Sequence, residues 1–147
     1  MKKIINEMKL RLPAISSNES VCRSAVSSFA ASLDPTVEEL GDIRLAVSEA
    51  VTNCIVHAYK NRDGWIYITV SLLEGRIAKI EIKDRGCGIK DVKEARQPLF
   101  TTDAASERSG MGFTVMESFT DAIRVTSKPG RGTNVIMYKT FGDRGDI

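Results

Sequence analysis

From Pro35 to about Tyr59 the apolar residues Ile43, Ala46, Val47, Ala50, Val51, Cys54, Ile55 and Ala58 recur at helical spacing; from Trp65 to Lys83 the pattern changes to alternation. A stripe at intervals of three and four needs an apolar surface to lie on, and alternating segments with one apolar side supply it. The remaining segments extend this pairing. Residues 7–14 alternate and are brought to an end by Pro13, which predicts a first strand. Ser17 or Asn18 is placed to cap a helix running to about Leu33, with Val21, Ala25, Val26 and Phe29 on its inner face. Asp34-Pro35 predicts the start of the long helix, a capping carboxylate followed by proline at the first helical position. Strands are predicted over 65–73 and 77–83 around Glu74-Gly75-Arg76, a short helix over 91–97 and a loop over 98–109. A helix over 111–119 and a hairpin of 123–127 with 133–138 complete the chain. The order β-α-α-β-β-loop-α-β-β, with grouped strands and grouped helices, predicts an α+β layer pair in one domain spanning 1–147.

Bulk properties exclude several classes. The 147 residues are 42% apolar and 27% charged, an ordinary globular balance. The net charge of +2 comes from scattered positives, so no basic run in the sequence points to nucleic acid. No apolar run approaches the roughly 20 residues that span a bilayer, and the start lacks a signal-peptide core, so a cytoplasmic protein without membrane contact is expected. Cys22, Cys54 and Cys87 are odd in number and widely spaced, and with His57 the only histidine a zinc site is not expected.

Three short stretches carry chemistry. Glu49, Asn53 and His57 climb one side of the long helix at intervals of four. A carboxylate there is suited to act as a general base, and an amide oxygen one turn on is suited to ligate Mg²⁺ between phosphates. His57 is secondary, a helix-end hydrogen bonder by default. Asp84 follows a strand and opens Asp84-x-Gly86-x-Gly88, where a carboxylate at the base of a pocket would accept the exocyclic amine of adenine and glycines would let the backbone pass along the ring. Gly110-Met111-Gly112-Phe113 sits where a loop becomes a helix, a place suited to phosphate, with Arg108 just before it as a phosphate partner. P-loop, Rossmann and protein-kinase signatures are missing, and no Gly-x-Ser-x-Gly elbow supports a serine hydrolase.

With these residues in place the chain resembles the GHKL superfamily, which includes gyrase, histidine kinases and MutL. Glu49 and Asn53 resemble its N box, Asp84-x-Gly86-x-Gly88 its first glycine box, Gly110-x-Gly112 its second, and Gly132-Thr133 the short element near the end. Residues 47–53, 95–102 and 107–114 resemble the anti-sigma branch found in endospore formers. The resemblance implies a two-layer sandwich with helices on one face of a mixed sheet, holding Mg·ATP between the long helix and a lid of about Val92 to Gly110. It implies that Glu49 and Arg108 serve catalysis and that Asn53 holds the metal. Asn53, His57, Asp84, Gly86, Gly88, Thr101, Thr102, Ser109, Gly110, Met111, Gly112, Phe113 and Thr133 would contact the nucleotide. It also implies a homodimer that binds a sporulation sigma factor and phosphorylates a serine on a small STAS-type anti-anti-sigma protein. Asp103 departs from this pattern, where lysine is usual, and so does Cys87, whose place in the adenine loop raises redox sensitivity as a question. The competing readings are a stress-response switch kinase of the same superfamily and a non-catalytic, ATP-gated binding module.

Overall fold

The order of strands explains how this chain makes a single layer. In the computed structural model, which describes residues 2–97 and 112–142, β1 (Ile4–Pro13), β2 (Trp65–Leu73), β3 (Ile77–Lys83), β4 (Ala122–Lys128) and β5 (Gly132–Thr140) form a five-stranded sheet in the order β1-β2-β3-β5-β4. All four pairings are antiparallel, which corrects the expected mixed sheet. Two connections decide this. Between β1 and β2 the chain passes through two helices, α1 (Ser17–Ala30) and α2 (Val37–Thr52), so it returns to the end it left and β2 runs back along β1. The crossover after β3, through α3 (Val92–Ala95) and α4 (Gly112–Ser118), does deliver β4 in the direction of β3; β5 then inserts between them.

Alternation puts one side of the sheet in the core. Ile66, Ile68, Val70 and Leu72 of β2, Ala78, Ile80 and Ile82 of β3, and Val135 and Met137 of β5 are buried. They meet Val26 of α1, Ile43, Val47 and Val51 of α2, and Met116 of α4 in a single cluster, so the helices lie on one face as expected. Among the described residues no helix is long and apolar enough to cross a membrane.

The predicted strands 65–73 and 77–83 match β2 and β3, and the last hairpin is one or two residues longer at each end than expected. The helix starts need correction. The N-cap of α1 is Ser16, whose side chain makes no capping bond, while Asn18 instead ties its amide to the Pro13 carbonyl at 2.9 Å. Asp34 does not cap α2: it adopts a left-handed conformation (φ 55°) and ends a 3-10 turn over Ala31–Leu33. The cap is Thr36, whose hydroxyl accepts the Glu39 amide (3.0 Å) while the Glu39 carboxylate accepts the Thr36 amide (2.8 Å). Two otherwise orphaned donors are satisfied reciprocally, which a single carboxylate before a proline cannot do. Arg76, at the β2–β3 turn, donates to the Leu33 and Asp34 carbonyls and fixes the helix connection from below.

Thr36→Ala is expected to destabilise the fold by about 1 kcal/mol, read as a lower denaturation midpoint with unchanged slope.

Candidate functional site

The far end of α2 builds the site. Asn53 is the C-cap of α2 and also the first residue of a π-helical turn, Asn53–Ala58, where an α-helix to Tyr59 was predicted. The Tyr59 amide reaches back to the Cys54 carbonyl at 3.0 Å, the five-residue step of a π-turn. Widening presents the last carbonyls to the loop after β3. The Ala58 oxygen accepts the Cys87 amide at 2.9 Å, and the His57 oxygen lies 3.4 Å from the Cys87 sulfur. Asn53 and His57 line one cavity with Asp84, Gly88, Phe113 and Thr133. At the start of α4, a methyl group on Gly112 would lie 3.3 Å from both Asn53 side-chain polar atoms and 3.6 Å from Glu49 Oε2. Gly112 therefore lies beside the Glu49–Asn53 part of the helix stripe.

Asp84 forms the opposite end. It is only 4% exposed, and Oδ1 accepts the Gly86 amide at 2.9 Å and the Thr133 amide at 3.2 Å. Its own amide donates to the Thr133 carbonyl at 2.9 Å, so β3 and β5 are locked where the loop leaves the sheet. Burial raises the Asp84 carboxyl above the usual aspartate range, and hydrogen bonds from Gly86, Thr133 and the Cys54 thiol partly restore the charged form. Cys54, a cavity-lining residue, is held as a neutral thiol well above its ordinary value, chiefly by burial and then by the nearby Asp84 charge.

The glycines of the first box are held in close contact with neighbouring backbone. A methyl group on Gly86 would sit 2.4 Å from the Ala58 oxygen, and one on Gly88 (φ +75°) would sit 2.1 Å from the Lys128 oxygen. Both positions are closed by neighbouring protein backbone, so close packing of chain on chain already requires glycine there. Gly132 is closed in the same way, its missing Cβ 2.2 Å from the Asp84 oxygen. Thr101, Thr102, Arg108, Ser109, Gly110 and Met111, with most of the lid expected over Val92–Gly110, lie outside the described residues; so does Asp103. Sequence reasoning missed two participants. Cys54 lies on the apolar stripe and reads as core until the π-turn places it at Asp84. Ser127 has no local signal at all, since its importance comes from pairing with Thr133 across the hairpin.

Known proteins resemble this chain in sequence and in fold. Residues 12–139 match the model of the histidine kinase-like ATPase domain. The chain is 55% identical over 137 residues to the anti-sigma F factor of Caldanaerobacter subterraneus subsp. tengcongensis, covering 93% of this chain and 95% of that one. It is 52% identical over 135 residues to the anti-sigma F factor of Bacillus subtilis, covering 91% and 92%. Among solved structures it resembles the RsbU and RsbW domains of a Mycobacterium tuberculosis protein (TM-score 0.67, 17% identity), covering 92% of this chain and 32% of that one. At that identity the likeness shows the fold alone, and the chain spans about a third of that structure.

The glycine contacts generate a paired test. Gly130 also has positive φ (+77°) but nothing within 4 Å of its missing Cβ. Gly130→Ala should cost about 1 kcal/mol from backbone conformation alone, whereas Gly88→Ala adds overpacking and should cost roughly 2–4 kcal/mol, both read from chemical denaturation.

Proposed function

The chain belongs to the anti-sigma F factor branch of the histidine kinase-like ATPase family, and we propose that it binds and blocks a sporulation sigma factor and, with Mg·ATP, phosphorylates a serine on the anti-anti-sigma protein that opposes it. The observation that carries the reading is one cavity lined by a buried carboxylate, Asp84, and by Asn53 and Gly112, with Glu49 Oε2 3.6 Å from where a methyl group on Gly112 would lie. That arrangement suits a ligand with an amino-bearing base at one end and phosphates at the other.

The residues present fit such a ligand. Asp84 has Oδ1 committed to two backbone amides, which leaves the second oxygen, even with the Cys54 thiol donating to the carboxylate, with a lone pair to accept an exocyclic amine. Asn53 offers an amide oxygen next to the start of α4, suited to Mg²⁺, and His57 lines the cavity beside it. ATP supplies the transferable phosphoryl group. Glu49 takes the proton of the incoming serine hydroxyl, and the backbone amides from Gly110 to Gly112, with Arg108, neutralise phosphate charge. Phosphoryl transfer asks mainly for positioning and charge stabilisation, so a carboxylate of ordinary basicity suffices. A homodimer completes the reading, and edge strand β1, with Ile4 50% and Ile5 61% exposed, offers a surface for it.

Incubating a purified anti-anti-sigma protein with this chain and Mg·ATP, and reading its intact mass, tests the proposal. Wild type should add one phosphate, and Glu49→Ala should slow the addition by ~10²–10⁴-fold with ATP binding retained. ATP binding with no phosphate added by wild type would leave an ATP-dependent sigma binder instead. A second prediction follows from Asp84. An amine needs the ionised carboxylate as acceptor, and the carboxyl titrates above the usual aspartate range. ATP affinity should therefore be constant at neutral pH and fall on acidification before an exposed aspartate would protonate, and Asp84→Asn should remove that acid limb. Calorimetric titration across pH reads both.

A further inference from the structure

Ser127, near the end of β4, is the junction of three chain segments. Its hydroxyl oxygen accepts the Ile89 amide at 2.7 Å, donates to the Gly132 carbonyl at 2.9 Å, and lies 2.8 Å from the Thr133 hydroxyl. A serine hydroxyl has one proton and two lone pairs. The Ile89 amide occupies one lone pair, and the Gly132 carbonyl takes the proton. With that proton placed on the carbonyl, which can only accept, the contact between the two hydroxyls takes its proton from Thr133. Thr133 is thereby committed as a donor to Ser127, and, as a residue lining the cavity with Asp84, it has only hydroxyl lone pairs left to offer a ligand there. Asp84 is itself an acceptor, so the floor of the cavity presents acceptors and no hydroxyl proton.

We infer that Ser127 is a specificity-determining residue, acting through Thr133: by fixing the direction of the Thr133 hydroxyl it makes the cavity accept an amino-purine and reject an oxo-purine. An amino group brings protons to this floor. An oxo group brings another acceptor, and the contact has no proton to share. Without Ser127, the Thr133 hydroxyl is free to turn and donate to the oxo group, which removes part of the rejection. The contribution concerns discrimination, because the amino group can still be bound by Asp84. The inference rests on the adenine reading of the cavity proposed above.

The test is a ratio of dissociation constants for ATP and inosine triphosphate, which carries an oxo group in place of the amine. Calorimetry would be run on wild type, Ser127→Ala, Ser127→Thr, Thr133→Val and the Ser127→Ala/Thr133→Val pair, each checked for folding by thermal melting. Wild type should favour ATP. Ser127→Ala should reduce that preference about tenfold, the worth of one hydrogen bond made rather than opposed. Ser127→Thr, which keeps the hydroxyl, should restore it, and the double variant should add nothing to Thr133→Val. If Ser127→Ala weakens both nucleotides equally with the ratio unchanged, Ser127 is only a latch between loop and hairpin and the inference falls. An unchanged ratio in Thr133→Val overturns it as well, even if Ser127→Ala does not fold. Wild type that binds neither nucleotide, or prefers neither, would instead remove the adenine reading itself.

Discussion

A carboxylate buried at the end of β3 organises the structure around it. Taking a charge out of water is costly unless hydrogen bonds replace the lost solvent. Asp84 meets that demand with the amides of Gly86 and Thr133 and the thiol of Cys54, which belong to the following loop, to β5 and to the π-turn after α2. Satisfying one side chain thus requires three separate parts of the chain to be in place. The reciprocal bond from the Asp84 amide to the Thr133 carbonyl holds β5 against β3, and this is the pairing that keeps β4 from joining β3 in parallel.

The cavity that results is built as much from backbone as from side chains. Gly86 fits under the Ala58 carbonyl, Gly88 under that of Lys128, and Gly132 under that of Asp84. The Gly130 amide donates to the Cys87 carbonyl at 2.7 Å, and the Cys87 amide to that of Ala58. The glycine loop is therefore clamped between the π-turn on one side and the hairpin tip on the other. Interlocking backbone of this kind tolerates no added Cβ, which accounts for the glycine pattern before any ligand is considered.

Much of this was legible in the sequence, and the misses have physical reasons. The strands 65–73 and 77–83 were readable because β-branched residues alternate cleanly and a Gly-containing turn separates them. Asn53 and Asp84, singled out by residue type and spacing, line one cavity, and Glu49 approaches it at Gly112. The start of α2 was misplaced although its capping box is local and visible: Asp34-Pro35 offered a competing start two residues early, and the reciprocal Thr36–Glu39 pair is the stronger signal. The π-turn has no comparable signature, because it depends on what packs against the helix end. Cys54 and Ser127 were invisible for the same reason, one read as core and the other as an ordinary strand serine, until long-range pairing set them beside Asp84 and Thr133. The expected mixed sheet failed one level higher, since the direction of β4 was consistent with it and only the insertion of β5 was not.

The two ends of the cavity are joined by a single stretch of chain. Glu49 lies on the last turns of α2, Asn53 closes that helix, Cys54 reaches Asp84, and the His57 and Ala58 carbonyls meet Cys87 of the glycine loop. Residues suited to phosphate chemistry and those suited to reading a base are therefore separated by only one widened turn. An α-helical continuation would step from one residue to the next at a different angle and could not keep both sets of contacts. The π-turn is the local compromise that lets Asn53 face Gly112 while the same segment holds the base end closed. Registration between the two ends then depends on packing beneath that turn, where Val51, Ile55 and Ile82 are buried together. Close-packed interiors transmit displacement instead of absorbing it, so the geometry of one end is fixed by the other.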